Sequence, residues 1–108
     1  MSPRGASLLV LSALLAGPAI ADPRPLPADA SRGVIRHAGE MSVTVNGNPA
    51  MLAPGAIIRN QQNLIIVPTA LPAEGAWADY LLDKSGQIYR VWLLTPDELA
   101  QPVGAQRQ

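Results

Sequence analysis

The soft-ligand chemistry of this 108-residue chain rests on one histidine and the methionines near it, because there is no cysteine. His37 is followed by Glu40 and Met41, with Met51 further on. Imidazole and thioether sulfur suit copper, so metal handling centred on His37 is one reading of the sequence. A selective site needs a defined ligand set, however, and a single histidine with two methionines spaced like core residues does not supply one. His37 therefore reads first as an ordinary surface side chain.

Asp79, Asp83 and Gly86 have the composition of a calcium loop. Such a loop closes with a glutamate where this chain has Trp92, so the three residues read instead as a strand and a turn. The glycines at 47, 55, 75 and 86 stand alone and form no phosphate cradle. Nucleophilic catalysis needs a Ser, Cys or Lys beside a base, yet the chain has one His and no Gly-x-Ser-x-Gly elbow. The sequence thus assigns no catalytic, cofactor-binding or metal-ligating residue and implies no cofactor. The expectation is a protein that is not an enzyme.

Binding remains. Trp77, Tyr80, Tyr89 and Trp92 fall in one stretch of a chain without phenylalanine, so they are expected to fill the core, Trp92 among them. Arg90 beside Trp92 leaves room for a binding face. A second feature is Leu64 to Val67, which is apolar at every position. Such a strand is either covered on both sides or part of a contact surface.

The elements that position these residues begin after a leader. Arg4 is followed by an uncharged run that ends at Gly17-Pro18, and Ala19-Ile20-Ala21 offers small residues at the positions a signal peptidase reads. Spanning a bilayer takes roughly 20 apolar residues, more than this interrupted run provides. Residues 1–21 are therefore expected to be a cleaved signal peptide, which places the rest in the periplasm with no membrane span. Cleavage removes one cation and no acid, leaving a nearly neutral chain without the field that gathers nucleic acid.

Residues 22–32 form a proline-rich stretch that should be extended and solvated, with one helical turn at most near Ala28 to Arg32. Residues 33–101 read as a small β domain of short apolar runs divided by turns. Met41 to Val45 alternates, and Asn46-Gly47 suits a tight hairpin leading to Ala50 to Ala53. Pro54-Gly55 marks a corner. Asn60 to Asn63 links Ala56 to Arg59 with Leu64 to Val67, and Asp83 to Gly86 joins Trp77 to Leu82 with Gln87 to Leu94. Thr95-Pro96-Asp97-Glu98 is a capping box that opens a short helix. Residues 102–108 should be a disordered tail. The fold class is all-β, a five- or six-stranded antiparallel barrel or sandwich with one short C-terminal helix.

Asn46-Gly47, Leu52 to Arg59, Asn63, Tyr80, Asp83, Gly86, Val91 to Thr95 and Glu98 together resemble a family of short exported proteobacterial proteins with no assigned function. The resemblance implies a single compact exported domain and adds no site residue. The function expected is a non-catalytic binding or assembly module of the bacterial cell envelope, with copper handling at His37 as the alternative. Its partner would be an envelope protein or a second copy. If Pro23 to Pro27 stays undocked, two-faced strands such as Leu64 to Val67 should leave apolar surface for that partner.

The leader reading is checked by N-terminal sequencing of the protein recovered outside the cytoplasm. The expected first residue is Asp22.

Overall fold

The computed structural model describes residues 23–103. The expected signal peptide and the last residues of the expected tail lie outside that range. Six strands form one sheet: β1 (Ser31–Gly39), β2 (Ser42–Val45), β3 (Asn48–Arg59), β4 (Ile65–Ile66), β5 (Ala76–Leu82) and β6 (Ile88–Leu93). A 3₁₀ turn, Pro68–Ala70, and one short helix, α1 (Pro96–Leu99), complete the elements. The all-β class with a C-terminal helix is borne out.

Neighbours in the sheet run β2-β1-β5-β6-β3-β4, and β2 also pairs with β3. That extra pairing closes β1, β2, β3, β6 and β5 into a ring, so the domain is a barrel with β4 attached outside the ring. Every pairing is antiparallel except β3 with β6, which is parallel. Five strands in this order, with a parallel closing pair, give the connectivity of an OB-type barrel. That topology hosts many functions and assigns none by itself.

Inner positions follow the two-residue period of strands. Ile35, Val43, Val45, Leu52, Ile58, Ala78, Ile88, Val91 and Leu93 fill the barrel, and Leu71 from the loop after β4 joins them. Leu71 is 6% exposed and is the one buried residue of an otherwise surface loop between Pro68 and Gly75. Gly75 explains how the chain gets out again. Its φ is +93°, and a Cβ there would lie 2.7 Å from Val34 Cγ1 and 2.9 Å from Arg36 Nε.

The turns follow their sequence chemistry. Asn46 and Gly47 take φ of 53° and 84°, the left-handed pair that a two-residue hairpin requires. Asp83 Oδ1 accepts hydrogen bonds from the amides of Ser85 and Gln87, at 2.8 and 3.0 Å, while Gly86 is left-handed. Asn60 Oδ1 likewise accepts from the Gln62 and Leu64 amides.

Three expectations change. The corner at Pro54-Gly55 is a bend within one strand: β3 runs through it with a register irregularity between Leu52 and Ile57. The expected helical turn at Ala28 to Arg32 is a turn at Ala28-Asp29 followed directly by β1. Inner positions of β1 include Gly33 and His37 as well as Ile35, so the strand lacks the apolar alternation by which sequence reveals strands. Finally, the proline-rich stretch is extended but only partly solvated. Leu26 and Ala30 are buried, and Arg24 is held in a polar clamp.

That clamp joins four parts of the chain. Arg24 Nε and Nη2 each donate to a Glu98 carboxylate oxygen at 2.9 Å. Arg24 also donates to the backbone oxygens of Asn60 and Leu93 and to Asn63 Oδ1. Glu98 in turn accepts from the Thr95 amide while Thr95 Oγ1 accepts from the Glu98 amide, which is the expected capping box. A second arginine holds the far end of α1. Arg32 donates to both oxygens of Asp79, at 2.7 and 3.3 Å, and to the carbonyls of Leu99 and Gln101.

Burial pushes the Glu98 carboxyl up, but hydrogen bonds from Arg24 and from the Thr95 amide, together with the Arg24 charge, outweigh it. The net effect lies below the ordinary value of 4.5. A depressed acid contributes stability above its unfolded pKa and loses it as pH falls through the folded one. Glu98→Gln keeps a capping side chain and leaves Arg24 without its counter-charge. Denaturant titration at neutral pH should show a loss of about 3 kcal/mol, the usual scale for removing one partner of a buried pair. The gap from wild type should shrink as pH drops below 4.5.

Candidate functional site

Residues directly opposite each other on paired strands share a face, so the register fixes which side chains stand together outside the barrel. One row crosses the sheet through Ile65, Arg59, Trp92, Asp79 and Arg32. The next row contains Ile57, Arg90 and Leu81. Val67 continues β4 on the same side as Ile65. Asp79 and Arg32 are closed off by their mutual ion pair under the end of α1. What stays open is the part over β4, β3 and β6: Ile65, Val67, Ile57, Arg59, Arg90 and Trp92.

Its apolar part is exposed. Ile65 and Val67 are 61% and 63% exposed, and Leu64, at the start of the same segment, is 62% exposed. The segment is therefore not covered on both sides. β4 pairs only with β3, so its outer edge is open, and only Ile66 turns inward against the core.

Its charged part has unspent donors. The ion pairs among the described residues are Arg24–Glu98 and Arg32–Asp79, so Arg59 and Arg90 face no carboxylate there. Arg59 Nη1 donates to the Asn63 carbonyl at 2.9 Å, which leans the guanidinium toward the start of β4. Arg90 Nη1 donates to the Tyr89 carbonyl, and its guanidinium carbon lies 5.2 Å from the Tyr89 ring centre. An arginine carries five N–H donors in a planar fork that matches a carboxylate, and most of them remain available at both positions.

Trp92 was expected in the core and is instead half-buried on this outer face, between Arg59 and Asp79. The reason is an irregularity in the last hairpin. Leu81 pairs with Arg90 but Leu82 pairs with Ile88, which leaves Tyr89 as an extra residue. A bulge shifts the alternation by one position, so Ile88 shares the inside with Val91 and Leu93, while Arg90 and Trp92 turn out. Tyr80 does pack against the core, whereas Trp77 is 46% exposed.

The metal reading finds no meeting point. His37 is opposite Val43 on the inner side of the ring, whereas Met51 is opposite Ser42 on the outer side. Met51 Sδ accepts from Ser42 Oγ, and His37 Nε2 is 3.3 Å from the Glu40 carbonyl. No group of three or more His, Asp or Glu residues is placed to hold a metal ion among the described residues. The calcium-like set is likewise dispersed, with Asp79 in its ion pair and Asp83 occupied by turn amides.

The residues brought together are thus two features read separately in the sequence, Leu64 to Val67 and the Arg90-Trp92 pair. Arg59 is the member that sequence reading left out. It sits between them, and its only sequence signal is a cation ending an otherwise apolar run, Ala56 to Arg59. Compared with protein-family models, curated proteins and solved structures, the chain finds no match.

An exposed side chain whose face is open to solvent can be exchanged at little cost to the fold. Ile65→Glu should leave the denaturant midpoint within about 0.5 kcal/mol of wild type. Fluorescence of a dye that reports exposed apolar surface should fall in the same variant.

Proposed function

We propose that this protein is a non-catalytic binding module of the bacterial cell envelope, exported to the periplasm, and that it holds a partner protein through the outer face of β4, β3 and β6. The observation that carries the reading is the convergence of exposed aliphatic side chains with two arginines that no carboxylate among the described residues neutralises. Apolar surface left in water and cations left unpaired both forgo free energy that a partner can recover. Folding explains neither, because the core is filled without them.

The condition on which apolar surface was expected, an undocked Pro23 to Pro27, is not met, yet the surface at Leu64 to Val67 remains exposed. The lead-in was one of the elements available to cover the outside of the barrel, and it is spent near β6, α1 and the loop after β3. It does not cover Leu64 to Val67. The short exported family that the chain resembles is consistent with the location. It contributes nothing to the choice of partner.

The test is affinity purification from the organism's own envelope with wild type and the Ile65→Glu variant in parallel. A partner retained by wild type and lost by a folded Ile65→Glu protein is the expected outcome. Identical recoveries from both would remove this face from the function.

A further inference from the structure

The β4 edge offers backbone as well as side chains. Asn60 donates to the Leu64 carbonyl, and Leu64 donates to Asn60 Oδ1, so the polar groups of Leu64 are turned toward β3. Antiparallel ladders alternate, with one residue bonded to one neighbour and the next presenting its groups to the other side. The amide and carbonyl of Ile65 therefore point to the open edge, as does the Val67 amide. The Val67 carbonyl is taken by the Ala70 amide.

Charge decides what fits there. Arg59 is opposite Ile65 and leans toward Asn63, at the start of β4, with donors to spare. Arg90 stands one strand further in, opposite Ile57. No acidic side chain interrupts this part of the face in the paired rows. An incoming strand that puts carboxylates on the outer face, across Ile65 and toward Arg59, and aliphatic residues on the opposite face, beside the exposed Leu64, satisfies both demands.

A second copy does not. The ring closes β1, β2, β3, β6 and β5 on one another, so the edge another copy can offer in the same way is its own β4, flanked by its own Arg59. Pairing of two such edges would leave an Arg59 on each side of the seam and offer neither a carboxylate from the described residues. The occupant must supply the acid.

We infer that the free edge of β4 takes an extended segment of another protein that alternates aliphatic and acidic residues, added as an antiparallel or parallel strand with its carboxylates on Arg59. This rests on the proposed binding function and names the chemistry of the partner. Strand addition of this kind draws affinity from main-chain hydrogen bonds and specificity from alternate side chains. It also explains the length of β4, since a short edge strand is completed by its ligand and resists pairing with itself.

The probe is a synthetic nine-residue peptide alternating glutamate with valine and isoleucine, titrated calorimetrically into the exported protein. A peptide with lysine in place of glutamate is the comparison. The glutamate peptide should bind at least tenfold more tightly, and its affinity should fall as salt is raised. Arg59→Gln should remove most of the preference while retaining weak binding, and Ile65→Pro should abolish binding of both peptides with the circular dichroism spectrum unchanged. A Lys84→Gln variant, altered in the distant β5–β6 turn, should bind like wild type.

Equal affinity for the two peptides overturns the inference, as does preference for the lysine peptide or no binding of the glutamate peptide at millimolar concentration. So does a sedimenting dimer that the peptide fails to dissociate, or binding to anionic phospholipid vesicles that the peptide fails to displace. If the peptide fails while Ile65→Glu still loses an envelope partner, the strand-addition inference falls and the binding face stands.

Discussion

In the ring of five strands each member has two neighbours, and β3 has a third, β4, so the arrangement of the whole sheet turns on that strand. Its first residues pair antiparallel with β2, and its later residues pair parallel with β6. The pairing with β6 begins at Leu52 and is interrupted across Pro54-Gly55, where Gly55 has φ of +80° and the register slips. Proline cannot donate to a ladder and glycine tolerates the left-handed region, so this dipeptide bends a strand without ending it. The inner positions of the barrel, the placement of β4 outside the ring and the rows of the outer face all depend on that bend.

The arginines divide by what the bend leaves around them. Arg24 and Arg32 meet Glu98 and Asp79 and are consumed in fastening the lead-in and α1 to the barrel wall. Each also donates to backbone carbonyls that the ends of strands and helix leave without partners. Arg59 and Arg90 stand on the same outer surface with no such acid. The contrast separates cations that hold the molecule together from cations that face outward.

Much of the fold was legible in the sequence because turn chemistry is local. Asn46-Gly47, Asn60 to Asn63, Asp83 to Gly86 and the Thr95 capping box each carry their own hydrogen bonds, and the structure places each as expected. β1 was not legible, since a barrel strand with Gly33 and His37 among its inner residues has no apolar alternation. The side of Trp92 was not legible either, because a single unpaired residue at Tyr89 inverts the alternation and leaves no mark in composition. The candidate face was half visible: Leu64 to Val67 and Arg90-Trp92 stood out by type, but their adjacency depends on the parallel pairing of β3 with β6. Pairing between segments so far apart in the chain leaves no local signal.

That same parallel pairing bears on the order in which the chain can fold. The hairpins β1–β2, β2–β3, β3–β4 and β5–β6 join strands close in sequence, while β1 must find β5 and β3 must find β6 across a long loop. Rates fall as the contacts that define a fold become less local, because the entropy of closing a loop is lost before the contact is gained. No barrel interior exists until β6 is present to join β5 to β3. Until then the chain is the β1–β2–β3–β4 meander, whose core-facing side has no β5 and β6 to close over it. A polypeptide that closes its barrel only with its final strand leaves the inner face of its early strands without a lid for almost its entire length.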